Sequence, residues 1–199
     1  MKAESTIKRL RDKLPVTIVA LGDSLSYGWM VRKGYLQFLE EMLMERYPGC
    51  RLTIINRGIP GDTAEGGLYR TREDVIDENP DCVFIQFALN DAFVGYTPER
   101  YKNNVQAIIS EIRDNTSAEI VLITSVYMGS AYENEMADGF YTRLEELAAM
   151  NNLPIARVHE YWRSKIEQGT EFKKLVQFDM VHPTVEGYRL MAKAILEVF

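Results

Sequence analysis

Four short stretches of this chain carry residue types and spacings suited to acyl-transfer chemistry. Gly22-Asp23-Ser24-Leu25-Ser26-Tyr27-Gly28 sets a serine beside an acid and between glycines. Ser24 there is either a nucleophile or an ordinary turn and helix cap. Asn56-Arg57-Gly58-Ile59-Pro60-Gly61-Asp62-Thr63 reads as a tight loop before a helix that Asp62 or Thr63 can cap. Its functional reading is a backbone N–H at Gly61 aimed at an anion, with no side chain in the way. In Ala88-Leu89-Asn90-Asp91, Asn90 is either a local turn residue or an amide donor to a developing oxyanion. Phe178-Asp179-Met180-Val181-His182-Pro183 places an acid three residues before a histidine, close enough to hold its imidazole. The chain has only two histidines, so His159 is the other candidate base. It follows Arg157-Val158 at the end of an expected strand and can face the same cleft, but no acid is spaced to orient it. Together these stretches supply a nucleophile, a backbone donor, a side-chain donor and a base with its orienting acid.

The elements that must bring them together follow from the apolar pattern. Residues 16–21, 52–56, 82–89, 120–126 and 154–158 are short apolar runs and read as strands. The third is apolar nearly throughout, as a strand covered on both faces would be. Residues 34–47, 63–76, 136–147 and 183–198 read as helices, the second weakened by Gly66 and Gly67. Thr97-Pro98-Glu99 opens a further helix with a cap, a proline in the first turn and an acid at the positive end. Tyr101, Val105, Ile108, Ile109 and Ile112 form its apolar stripe. Strand and helix alternate about five times, which predicts an α/β protein with a five-stranded parallel sheet and helices on both faces. In such sheets a site lies beyond the C-terminal strand ends, where three of the four stretches fall.

The totals narrow the function classes. The chain has 199 residues, 26% charged and 46% hydrophobic, which suits one globular domain over residues 1–199. Residues 1–14 read as an N-terminal helical extension, with Ile7, Leu10 and Leu14 at helical spacing. A net charge of -6 argues against nucleic acid as the main partner. The longest apolar run is too short to span a membrane, no signal-peptide core follows the basic start, and no stable membrane anchor is expected. The cysteines, Cys50 and Cys82, match no zinc or redox spacing and read as reduced thiols, so the cytoplasm is the simplest compartment. No metal and no cofactor are expected, and nothing in the sequence sets the oligomeric state.

The four stretches, in this order, resemble the blocks of the SGNH (GDSL-type) hydrolases, a family of esterases and lipases. The resemblance runs from about residue 16 to the C-terminus. It implies a flavodoxin-like three-layer α/β/α sandwich. It implies that Ser24 is the nucleophile, His182 the general base and Asp179 its orienting acid. Gly61, Asn90 and the Ser24 backbone N–H would form the oxyanion hole. Two positions depart from the pattern: Ala88 stands where the family usually has Gly, and Ser26 where it often has Thr. The implied substrate is a small-molecule carboxylic ester, such as an acetylated carbohydrate. A lysophospholipase or acyl-thioesterase with a longer acyl pocket is the rival, and a silent binding module on the same fold the alternative from another class. Trp29, Phe93 and Tyr127 follow motif residues or a strand end and are the expected substrate-binding side chains.

Overall fold

The computed structural model describes residues 1–199. Five strands, β1 (Pro15–Gly22), β2 (Arg51–Gly58), β3 (Cys82–Gln86), β4 (Glu119–Ile123) and β5 (Ile155–Ala156), form one parallel sheet in the order β2-β1-β3-β4-β5. That is the doubly wound order with a switch point between β1 and β3. The helices are α1 (Glu4–Arg11), α2 (Ser24–Tyr27), α3 (Tyr35–Arg46), α4 (Ala64–Tyr69), α5 (Thr71–Asp74), α6 (Leu89–Phe93), α7 (Pro98–Asn115), α8 (Ala131–Asn151), α9 (Val158–Glu167), α10 (Phe172–Leu175) and α11 (Val185–Leu196). One layer joins α3, α9, α10 and α11; the other joins α4 to α8. Between them lies one apolar cluster of 55 buried residues, running from Ala3 to Phe199.

Register decides what this sheet can present. Gly22 of β1 pairs with Gly58 of β2 on one side and with Gln86 of β3 on the other. Three chains therefore leave the sheet at one level and side by side. The polypeptide after Gly22 turns at once into α2, which crosses the end of β2 so closely that a Cβ on Gly58 would collide with the Tyr27 backbone nitrogen.

Several boundaries differ from the apolar pattern. β3 ends at Gln86 although Phe87, Ala88 and Leu89 are also buried, because the backbone breaks at Ala88 and Leu89 begins α6. The helix expected over 63–76 is divided at Arg70 into α4 and α5, with a 3₁₀ turn, Ile76–Glu78, after them. β5 is only two residues long, and Val158 already opens α9, which the pattern did not reveal. The N-terminal helix stops at Arg11 and leaves Leu14 exposed. Thr6, Ile7 and Leu10 are buried, and the Thr6 amide and hydroxyl both donate to Glu119 at the start of β4. No helix is long and apolar enough to cross a membrane.

Ala88 carries the main backbone strain near the motif residues. Its φ of 155° with ψ of -50° is a conformation that favours glycine, and its methyl group is buried. Such residues cost about 1–3 kcal/mol. Glycine would add about 0.4–1 kcal/mol of unfolded-chain entropy and lose about 0.8 kcal/mol of methyl burial. Ala88→Gly should therefore stabilise slightly, by roughly 0.5 kcal/mol, raising Tm by about 1–2 °C. Calorimetry checks this, and a fall in Tm would remove strain as the reading of Ala88.

Candidate active site

The first of the three side-by-side exits carries Ser24. Asp23 has extended backbone and caps α2, its Oδ1 accepting from the Leu25 amide at 2.8 Å. The capping role expected as the bland reading of Ser24 thus falls to its neighbour, and the Ser24 hydroxyl makes no bond to the helix backbone. α2 stops after one turn at Gly28, which is left-handed at φ 86°.

The second exit is the turn Ile59-Pro60-Gly61-Asp62, closed by Asp62 N–H donating to Ile59 O at 3.1 Å. Proline at its second position and Gly61 at φ 81° in its third fit a type II turn. A Cβ at Gly61 would meet nothing within 4 Å, so the glycine is there for its backbone angle and not for space. Its N–H has no acceptor within the protein. Thr63 then caps α4, accepting from Gly66 N–H at 3.3 Å.

The third exit passes Ala88 into α6. Asn90 donates one amide hydrogen from Nδ2 to the Asp62 carbonyl at 2.9 Å, and its other hydrogen is unbonded. Asp91 is fully buried and accepts from the Ala64 N–H with both carboxylate oxygens, at 3.1 and 3.2 Å. Asn90 and Asp91 together clamp α6 to the Gly61 turn.

Asp179 and His182 arrive from the far end of the chain. A backbone bridge pairs Val176 antiparallel with Pro183 and closes a small loop between α10 and α11. Within it Asp179 Oδ1 accepts from the Val181 and His182 amides at 3.0 and 2.9 Å, and Oδ2 lies 2.7 Å from His182 Nδ1. His182 Nε2 lies 2.9 Å from Ser24 Oγ. Burial alone would raise the Asp179 pKa, but these three hydrogen bonds outweigh it and hold the carboxyl below its ordinary range. An ionised carboxylate only accepts, so Nδ1 carries the hydrogen and Nε2 offers its lone pair to the Ser24 hydroxyl. Gln177 fixes the loop, its Nε2 donating to Trp29 O and Pro183 O, each at 2.9 Å.

A cavity of about 170 Å³ opens on this arrangement, walled by Leu25, Leu89, Phe93 and Val181 beside Ser24, Asn90 and His182. Of the three expected substrate-binding side chains, only Phe93 lines it. Trp29 lies with its ring 5.9 Å from the His182 ring, and Tyr127 packs on the main core. Leu25, Leu89 and Val181 were not singled out, because pocket walls and core positions use the same residue types. Ala88 is not a wall either, and it is buried. A larger open groove of about 700 Å³ runs past Met1, Arg157 and Tyr161 and holds none of the motif residues. His159 stands apart on α9, its Nδ1 2.9 Å from Thr124 Oγ1 and its ring 4.4 Å from that of Tyr141. Burial pushes its pKa down to about 4, with Arg163 and Arg157 adding to the effect.

Two other carboxyls have the opposite environment to Asp179. Asp23 is 1% exposed, and burial pushes it up to about 7 against the pull of hydrogen bonds from Leu25 and Gln86. Burial likewise raises Asp91 to about 7, with Asp62 and Glu65 contributing.

The family of GDSL-like lipases and acylhydrolases has a model that matches residues 20–190 of this chain. An arylesterase of Vibrio mimicus is 32% identical over 133 residues, 66% of this chain and 64% of that protein, so the match spans less than two thirds of the relative's length. An acetylxylan esterase of Geobacillus stearothermophilus is 24% identical over 176 residues, 82% of this chain and 79% of that protein. The crystal structure of Axe2, an acetylxylan esterase from Geobacillus stearothermophilus, is similar with a TM-score of 0.82 at 22% identity, over 92% of this chain and 93% of that one. At that identity the likeness is one of fold.

The raised Asp91 pKa has a signed consequence for stability. The unfolded carboxyl titrates near 3.8 and the folded one near 7, so the folded chain binds the proton more tightly between them. The stability linked to Asp91 is full below about pH 4 and is lost as pH rises through about 7. Asp91→Asn removes this dependence. Urea unfolding at acid and at alkaline pH should show the variant gaining on the wild type as pH rises; a difference that stays constant with pH would sink the assignment.

Proposed function

We propose that this chain, which belongs to the GDSL-like lipase/acylhydrolase family, is a carboxylic-ester hydrolase that works through an acyl-enzyme on Ser24. The observation that carries the reading is the continuous line from Asp179 through His182 to Ser24, with contacts of 2.7 and 2.9 Å. His182 Nε2 takes the hydroxyl proton as Ser24 Oγ attacks the ester carbonyl. Charge on the carbonyl oxygen is met by the free N–H of Gly61, the unbonded Asn90 amide hydrogen and the Ser24 N–H. Asp179 stabilises the imidazolium and keeps its tautomer. His182 then protonates the leaving alcohol. The same nitrogen later deprotonates the water that releases the acid, and Ser24 regains its proton.

The acyl side of the substrate is small in this reading. A cavity of about 170 Å³ lies below the roughly 300–1,000 Å³ of sites for drug-sized ligands. Acetyl and other short acyl groups fit such walls; an acetylated carbohydrate is the substrate class we favour, and the likeness to an acetylxylan esterase supports it. Residues 1–199 act in this reading as one catalytic unit, since the 55-residue core takes in both Ala3 and Phe199. The compartment is the cytoplasm, a choice supported by two cysteines that form no disulfide.

Hydrolysis of p-nitrophenyl esters from acetate to palmitate tests the proposal. Turnover should peak at acetate and vanish in Ser24→Ala. Asn90→Ala should lower kcat by about 10²–10³-fold. Phe93→Ala, which opens one wall, should move the optimum toward longer chains. A wild-type optimum at eight carbons or beyond would replace the small-acyl reading with a lipid or thioester substrate.

A further inference from the structure

Arg70 sits at the joint between α4 and α5 with 14% of its side chain exposed. Its guanidinium touches both the serine side and the oxyanion side of the site. Nη2 donates to the Gly22 carbonyl at 2.9 Å, two residues before Ser24, and Nη1 donates to the Arg57 carbonyl at 2.7 Å, one residue before the end of β2. Nε donates to Asp62 Oδ2 at 2.8 Å, and Nη1 also to Asp74 Oδ2 at 2.7 Å. Gly22 O accepts in addition from Ile59 N–H at 3.0 Å, at the first residue of the Gly61 turn. Asp62 closes that turn with its N–H, takes Asn90 on its carbonyl and takes Arg70 on its carboxylate.

We propose that Arg70 is a positioning residue that fixes the Gly61 and Asn90 donors relative to Ser24 by cross-linking the end of β1 to the Ile59–Asp62 turn. The proposal rests on the esterase reading above. A planar guanidinium has five donors in a fixed fork, and here it spans two carbonyls and two carboxylates at once. No other side chain bonds both to Gly22 O and to Asp62. Gly61 N–H lies one residue from the clamped Asp62, and Asn90 bonds to that same residue, so one rigid contact sets two oxyanion donors. Those donors meet charge that exists only in the transition state, so their misplacement lowers kcat and leaves KM nearly unchanged.

Arg70→Lys tests this, because it keeps the charge facing Asp62 and Asp74 and loses the fork. Wild type, Arg70→Lys, Asn90→Ala, the double variant and Ser24→Ala are compared on p-nitrophenyl acetate. Active sites are counted by end-point labelling of Ser24 with a fluorophosphonate and intact mass. Arg70→Lys should lower kcat per labelled site by up to about 10²-fold, with KM within about twofold of wild type. In the Asn90→Ala background the same substitution should cost clearly less, since both changes act on one oxyanion hole. The rate of fluorophosphonate labelling, which needs no ester turnover, should fall in parallel. An unchanged kcat per site, a loss confined to KM or to the labelled fraction, or a double variant equal to the product of the singles would overturn the positioning role while leaving the esterase reading intact. A wild type whose Ser24 neither turns over esters nor labels would overturn both.

Discussion

The level alignment of Gly22, Gly58 and Gln86 across three parallel strands is the constraint on which the site depends. Parallel pairing sends all three chains out of the same edge, and their register makes them leave together. Ser24, the Gly61 turn and Asn90 are separated by long stretches of sequence, yet each lies within a few residues of that line. A one-residue slip of β2 would also turn its side chains to the opposite face of the sheet. The hydrophobic pattern that holds the strands in place is therefore also what holds these residues in place. His182 and Asp179 are the exception. They reach the edge on a loop from the C-terminal part of the chain, and Gln177 ties that loop to the backbone at Trp29.

Three aspartates around the cleft show how one residue type is given different charge states. Asp179 accepts two amides and an imidazole and stays ionised. Asp23 and Asp91 flank Ser24 and Asn90 in sequence, and burial shifts both toward the neutral form. In the proposed mechanism a full negative charge beside the developing oxyanion would oppose it, whereas one behind the imidazole would support the cation that forms there. The electrostatics of the site are thus divided between its two ends: an ionised Asp179 behind His182, and Asp23 and Asp91 protonated beside Ser24 and Asn90 at pH values below about 7.

Each stretch of the candidate site is ambiguous alone, and it is their order and resemblance to a family's blocks that single the residues out; what each signals locally is its turn, cap or spacing. Pro60-Gly61 announces a turn that only glycine can complete, Thr97-Pro98-Glu99 announces a helix start, and the three-residue spacing of Asp179 and His182 allows the observed contact. The alternating apolar runs were enough for the doubly wound sheet. What stayed hidden has physical reasons. The apolar run over 82–89 does not show where the chain turns, since Phe87, Ala88 and Leu89 are as buried as the strand before them. α9 follows β5 with no polar loop between them, and only Val158 and Trp162 on it are buried, so its stripe is too short to read. Arg70 could not be found because two of its partners are backbone carbonyls brought near by folding, and no side-chain pattern encodes a carbonyl.

The small loop closed by the Val176–Pro183 bridge contains both Asp179 and His182. Asp179 and His182 therefore belong to one closed unit. If the cleft breathes, the gap that changes is the one between His182 and Ser24, while the contact between His182 and Asp179 is carried along unbroken. The imidazole keeps its hydrogen on Nδ1 throughout such an excursion and returns to Ser24 already in the working tautomer. In the proposed mechanism, rearming between cycles would then need only the loop in place, with no proton to be reshuffled on the ring.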